Sequence, residues 1–168
     1  PRYPFCNPPY ASRAFALLSI AQYDALVATW KYKKQYNRAA PYKTDATITP
    51  SVPKSDLPSY PSEDAVIAAA SRELLKFLFP GEVPLLEAKA TEHKNSRLWA
   101  GANVQSDIDA GEALGKAVAQ KFVARARTDR AGAAVGNQAL WDKLAADATA
   151  RGEIPWISQE SPKRPPMR

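Results

Sequence analysis

Among its 168 residues the chain holds one cysteine, Cys6, and one histidine, His93. A lone cysteine excludes an internal disulfide framework and a cysteine-rich zinc site, leaving open only a bond to another chain, and a lone histidine argues against a metal centre built on imidazoles. Neither has a reactive setting in the sequence: Cys6 lies near a terminus with no activating neighbour, and His93 reads as a surface residue. Met167 is the only methionine and the first residue is Pro1, which we expect of a processed or truncated chain whose targeting signals cannot be read. Long apolar runs are missing too. The longest, Ala14 to Trp30, is interrupted by Ser19, Gln22, Asp24 and Thr29, and is too short and too polar to span a bilayer. No segment alternates with the period of a strand, and there is no internal repeat.

What remains is ordinary globular material, 45% hydrophobic and 24% charged, long enough for one domain with a real core. The net charge of +6 admits an acidic partner or an anionic ligand. Much of it lies in Trp30 to Arg38, "WKYKKQYNR", where basic residues interleave with aromatics. Such a pattern can serve nucleic acid, but no nucleic-acid motif frames it, and cations at a helix end simply complement the macrodipole. Nucleic acid is therefore not the expected partner.

The periodicity predicts an all-α chain. Ser12 to Asn37 reads as one long helix with Phe15, Leu18, Ala21 or Gln22, Ala25 and Trp30 at helical spacing and apolar residues on most other faces, hence a central, buried helix. Asp24 within it would satisfy a nearby backbone group or tyrosine. Prolines 41, 50, 53, 58 and 61 forbid a helix over 41–61 and suggest an ordered surface loop. Helix returns from Ser62 to Phe79, with Val66, Ile67, Ala70, Leu74 and Leu78 inward, and ends at Pro80–Pro84. A polar helix over Leu85–Ser96, a longer one over Asn103–Arg127 with Ala113, Leu114, Ala117, Val118, Phe122 and Val123 as its stripe, and a last one over Gly136–Ala150 complete a single helical domain spanning 1–168. Residues 151–168 form an extended tail pinned by Trp156.

One detail is odd. The helix that starts at Ser62 opens with Glu63 and Asp64, although a helix start is a natural seat for an anion. The plain explanation is that acids in a first turn complement the helix dipole.

"NPPYASRAFALLSIAQYDALVATW", "PSYPSEDA" and "SRLWAGANVQSD", in that order, resemble the soluble branch of the type 2 phosphatidic acid phosphatase and vanadium-dependent haloperoxidase superfamily. The likeness runs from about Asn7 to Lys121. It implies an all-α helical bundle of that type, in a truncated or incomplete version. In that family a phosphate or vanadate is held by a lysine, two arginines and helix-start amides. A first histidine acts as acid, a second as nucleophile or vanadium ligand, and an aspartate orients the second. Cations and amides suit a trigonal-bipyramidal oxyanion, and imidazole can attack and leave near neutral pH.

Mapped on this sequence, the motifs are degenerate. Ser96, Arg97 and Asp107 match the third motif, but Asn103 stands for the nucleophilic histidine. Pro61 and Ser62 match the second, with Glu63 in place of glycine and Asp64 in place of the acid histidine. The first motif fits in two registers: Lys31 with Arg38, which loses the proline, or Lys33 with Ala40-Pro41, which loses the arginine. We prefer the second, with Arg38 as a substitute cation that could swing into the site. Lys33, Ser62, Arg97 and Asp107 are thus the expected remnant of an anion site, and no catalytic set is intact.

Two placements of Glu63 and Asp64 remain open at this stage: against Lys33 and Arg97 as internal counterions, or toward solvent. Two functions follow. One is a catalytically inactive structural or interaction module, with a protein partner, an additional subunit or segment, or an oligomer completing it. The other is an enzyme of altered chemistry that uses Glu63 or Asp64 as acid or base, with residual phosphate or vanadate binding. No cofactor and no resident metal are expected. A Ca²⁺ or Mg²⁺ site from Glu63, Asp64, Asn103 and Asp107 ranks lower, since their spacing matches no metal loop. The resemblance also implies a periplasmic or extracellular location.

Overall fold

The computed structural model describes residues 8–131, 137–157, 159 and 161. Its elements are α1 (Pro8–Tyr36), a single turn α2 (Pro41–Thr44), α3 (Glu63–Leu78), a 3₁₀ turn (Pro80–Glu82), α4 (Val83–Trp99), α5 (Gln105–Thr128) and α6 (Gln138–Ala150). Among the described residues there is no strand, and no helix is long and apolar enough to cross a membrane. The all-α expectation holds. Cys6 lies outside the described residues.

Two compact units can be distinguished. One comprises Ala14–Ala126 and the other Pro1–Arg13 with Arg127–Arg168. In the larger unit the central helix is α3, not α1. Ala65, Val66, Ala68, Ala69, Ala70 and Leu74 are all buried, because an alanine-rich surface lets neighbouring helices approach closely from several sides. The helix starts at Ser62, whose hydroxyl accepts from Ala65 N, one of the donors a helix start leaves free.

On α1 only one ridge is buried: Leu17, Ala21, Ala25, Thr29 and Lys33, spaced by four. That is one of the rows along which helices interlock. The expectation of an all-round buried helix fails. Phe15, Ile20, Tyr23 and Val27 are more than half exposed, and Asp24 is exposed rather than buried among partners. The apolar residues on the remaining faces misled because hydrophobicity without a facing element does not bury a residue.

The seam of α5 also differs from its expected stripe. Leu114, Val118, Phe122 and Val123 do pack on the core, but Ala113 and Ala117 are exposed and the closest approach is made by Gly111 and Gly115. A Cβ on Gly111 would lie 2.5 Å from Ser62 O, and one on Gly115 2.3 Å from Val66 O. The absence of side chains at these two positions sets α5 against the start of α3. Ser62 N consequently donates to Asp107 O at 2.9 Å.

The segment after α1 is ordered by bonds within itself and to the end of α4. Ser59 N donates to Arg38 O (2.9 Å) and Ser51 N to Ala100 O (3.0 Å), and the Tyr42 hydroxyl donates to Ser55 O (2.8 Å). In the smaller unit, Asn137 caps α6 by accepting from Leu140 N at 2.9 Å, and Arg13 pairs with Asp129 at 2.6 Å. Trp156 is 55% exposed, and the described residues after Gly152 are irregular and mostly exposed.

Candidate functional site: a charge-balanced pocket

The last turns of α1 and α4, the start of α3, and the loops before α3 and α5 meet around a small polar cavity. Its volume is about 120 Å³, and its lining includes Lys33, Ala40, Glu63, Asp64, Arg97 and Asn103. This is room for several water molecules or a small oxyanion.

Lys33 arrives on the buried ridge of α1 and is only 3% exposed. Its Nζ donates to Pro58 O, lies 3.5 Å from Glu63 Oε2 and sits 5.8 Å from the centre of the Trp30 ring. An ammonium so far out of water needs such company. Lys31, its rival in the alternative register, is exposed.

Arg97 comes from the last turn of α4, with Nε 3.0 Å from Asp64 Oδ2. That Nε is buried and has no hydrogen-bond partner. The two facts agree if the charges are close but poorly aligned, so the contact is Coulombic rather than a formed hydrogen bond. One helical turn earlier, His93 Nε2 approaches Asp64 Oδ1 at 3.3 Å. The sequence reads His93 as a surface residue, and its one usable signal is its spacing of four from Arg97, which sets both on one face of α4.

The start of α5 is held from within. Asn103 Nδ2 donates to Ser59 O at 3.0 Å and lies 3.4 Å from Asp107 Oδ2, while its Oδ1 accepts from the Ser62 hydroxyl at 3.2 Å. Asp107 is fully buried. Its Oδ2 accepts from Val104 N at 3.1 Å and its Oδ1 from Arg38 Nη1 at 2.7 Å. Arg38 also donates to the Ser106 hydroxyl (2.8 Å) and stacks 5.1 Å from the centre of the Tyr60 ring. It does not line the cavity. A buried carboxylate attracts the nearest guanidinium strongly, so Arg38 neutralises Asp107 instead of supplying a cation to the pocket.

The residues singled out in the sequence are therefore brought together, but as three cation–carboxylate pairs: Lys33 with Glu63, Arg97 with Asp64, and Arg38 with Asp107. Glu63 and Asp64 remain about a third exposed and still lean on the cations rather than away from them. Among the described residues no three His, Cys, Asp or Glu side chains converge as metal ligands. Of the residues weighed for Ca²⁺ or Mg²⁺, Glu63, Asp64 and Asp107 each face a cation, Lys33, Arg97 and Arg38 respectively.

A second charged cluster, absent from the sequence reading, ties α3, α4 and α5 together. Arg72, almost buried, pairs with Glu73 (2.8 Å), Glu112 (2.7 Å) and Glu87 (3.5 Å). Lys94 also pairs with Glu112, and Lys76 with Glu87 at 2.6 Å. Burial works against the charge of Glu112, yet the hydrogen bonds from Lys94 and Arg72 outweigh it and hold its pKa below the usual glutamate value. Glu87 is lowered chiefly by its hydrogen bond from Lys76. For Arg72 burial opposes the charge as well, and the glutamates around it raise its pKa above the ordinary arginine value. No family model matches the sequence, and no curated protein matches it significantly.

Among solved structures, the fold is similar to that of a bacterial vanadium-dependent iodoperoxidase, with a TM-score of 0.58 and 23% identity. The match takes in 67% of this chain and 32% of that one. At this identity the likeness shows the fold alone, a helical fold like that of the iodoperoxidase, and the chain spans about a third of the length of the protein it matches.

Proposed function

We propose that this chain is a catalytically inactive module built on a phosphatase or haloperoxidase fold, whose oxyanion pocket is neutralised by its own carboxylates. The observation that carries this reading is the pairing of Lys33 with Glu63 and of Arg97 with Asp64 inside the cavity. An incoming phosphate or vanadate would have to displace two carboxylates that are covalently part of the site and always present. The residues do not fit vanadate in another respect: at the nucleophile position stands Asn103, whose amide is neither a useful nucleophile nor a vanadium ligand and is engaged on both its polar atoms. Loss of a nucleophile can cost on the order of a million-fold in turnover. We assign no cofactor to the chain.

As a module the chain would act through a protein partner or a further subunit, and the family resemblance suggests a periplasmic or extracellular setting. A second reading is supported by one contact, His93 with Asp64. An imidazole oriented by a carboxylate that itself lines the cavity is a recognisable general acid or base. Under that reading the chain is an enzyme of altered chemistry, with Lys33 and Arg97 positioning an anionic substrate.

Thermal stability with millimolar orthovanadate or phosphate separates the two, since a ligand that binds only the folded state raises stability by mass action. The native protein should be indifferent, and a variant with Glu63→Gly, Asp64→His and Asn103→His should be stabilised. Stabilisation of the native protein would reject the inactive-module reading in favour of the enzyme.

A further inference from the structure

The face of α1 opposite its buried ridge is apolar and uncovered. Ile20, Tyr23 and Val27 are 52%, 68% and 55% exposed. They fall at spacings of three and four, which places them on a single stripe. Toward the end of the helix the stripe widens into a shallow depression of about 500 Å³ lined by Tyr23, Leu26, Val27, Trp30, Lys31 and Lys34. From Ile20 to Lys34 this surface runs about 21 Å along the helix axis, at the rise of an α-helix. Scattered exposed apolar residues need no explanation, but a contiguous stripe with an aromatic-floored groove marks an interaction site.

The charges select the occupant. The apolar floor ends on two exposed lysines, Lys31 and Lys34, with no carboxylate among the groove residues. A second copy of the chain laid parallel would set these lysines against their own counterparts. Laid antiparallel about Val27, it would set Lys31 beside Asp24, the exposed acid next to the stripe, and Lys34 against the uncharged Ile20. Neither arrangement answers both lysines. The chain as a whole is at +6, which adds attraction for an acidic partner at long range.

We infer that this face docks an amphipathic α-helix of another protein, about four turns long, whose apolar stripe lies along Ile20, Tyr23, Val27 and Trp30 and whose Asp or Glu residues meet Lys31 and Lys34. Helix-in-groove recognition uses the same periodic anchors on the incoming helix. Aromatic side chains such as Tyr23 and Trp30 are the residue types that dominate such contacts. The inference rests on the module reading and gives it a surface. It does not involve the polar cavity, because Lys33 faces the core while Lys31 and Lys34 face out.

The test uses three fluorescein-labelled 21-residue peptides: one with a leucine stripe flanked by glutamates, one with the same stripe flanked by lysines, and an acidic one with the stripe scrambled. Fluorescence anisotropy on the native protein should show the acidic striped peptide binding at least tenfold more tightly than the other two. Lys31→Glu with Lys34→Glu should reverse the preference between the two striped peptides. Val27→Asp should abolish binding of both while leaving the melting temperature in place, which separates loss of docking from loss of folding. Equal binding of the acidic and basic striped peptides, equal binding of the scrambled one, or no binding at all would overturn the inference. So would sedimentation of the native chain as a dimer that Val27→Asp dissociates, or binding to anionic vesicles without binding to the acidic peptide. Failure here leaves the response to vanadate unchanged, so the pocket reading stands or falls separately.

Discussion

Two clusters of ion pairs are built from the same kinds of side chain, one across α3, α4 and α5 and the other across α1, α3 and α4, and they differ in what surrounds them. Around Arg72 the guanidinium is wedged among Glu73, Glu87 and Glu112, and Lys94 and Lys76 take the second carboxylate oxygens of Glu112 and Glu87. Around Lys33 and Arg97 the pairs border a cavity, one contact is long, and the other is poorly aligned. The first cluster has the form of a clamp between α3, α4 and α5. The second borders a cavity, and under the proposed function it is a binding site whose ligand charge is supplied internally. Charge compensation alone does not distinguish them; geometry and the presence of room do.

That contrast is broken most severely at the clamp. Arg72→Met leaves Glu73 and Glu112 facing each other without their shared cation, and should cost about 2–4 kcal/mol in a denaturant titration, discounted because both glutamates keep some solvent. Its effect on any response to vanadate should be nil; a variant that gained an anion response would show the two clusters to be coupled. Gly115→Ala comes next. Its Cβ would meet a backbone carbonyl, not a side chain that can turn away, and about 1–3 kcal/mol of destabilisation is expected from overpacking. An unchanged midpoint would mean that α5 does not lie where its glycines put it.

A smaller effect follows from pH. Glu112 and Glu87 are held below the usual glutamate value by their cationic partners, so the folded state binds fewer protons than the unfolded one through that range. Their contribution is fully present above the unfolded value and is lost as pH falls through the lower folded values. Melting temperature should therefore decline below about pH 4.5, and Glu112→Gln should flatten that decline. A native profile that is flat down to pH 3 would contradict the clamp. The smallest effect is predicted on the outer face of α1, where Val27→Ser should change stability by no more than about 0.5 kcal/mol. A larger loss would mean that the stripe is already covered in the free chain.

The contrast also marks what the sequence could tell. Helix positions were legible because apolar periodicity and prolines are local signals: α3 was expected over Ser62–Phe79 and is found at Glu63–Leu78. The pocket residues were legible only through the resemblance, since Lys33, Glu63, Arg97 and Asn103 lie on four different elements. Their partners were partly open, and the structure puts Glu63 and Asp64 on the cations while giving Arg38 to Asp107. The Arg72 cluster was invisible, because no spacing in one helix reports what a second helix brings to it. The burial of α1 was misjudged for the same reason: its composition is apolar all round, yet which face is covered depends on where α3 and α5 lie.

Calorimetric titration of orthovanadate into the native protein and into Glu63→Gln with Asp64→Asn tests the internal-counterion account most directly. The substitutions remove both carboxylate charges while keeping side-chain shape, so Lys33 and Arg97 are left to an external anion. The account predicts no binding by the native protein and measurable binding by the variant. Binding by the native protein, undiminished relative to the variant, would show that Glu63 and Asp64 do not fill the site.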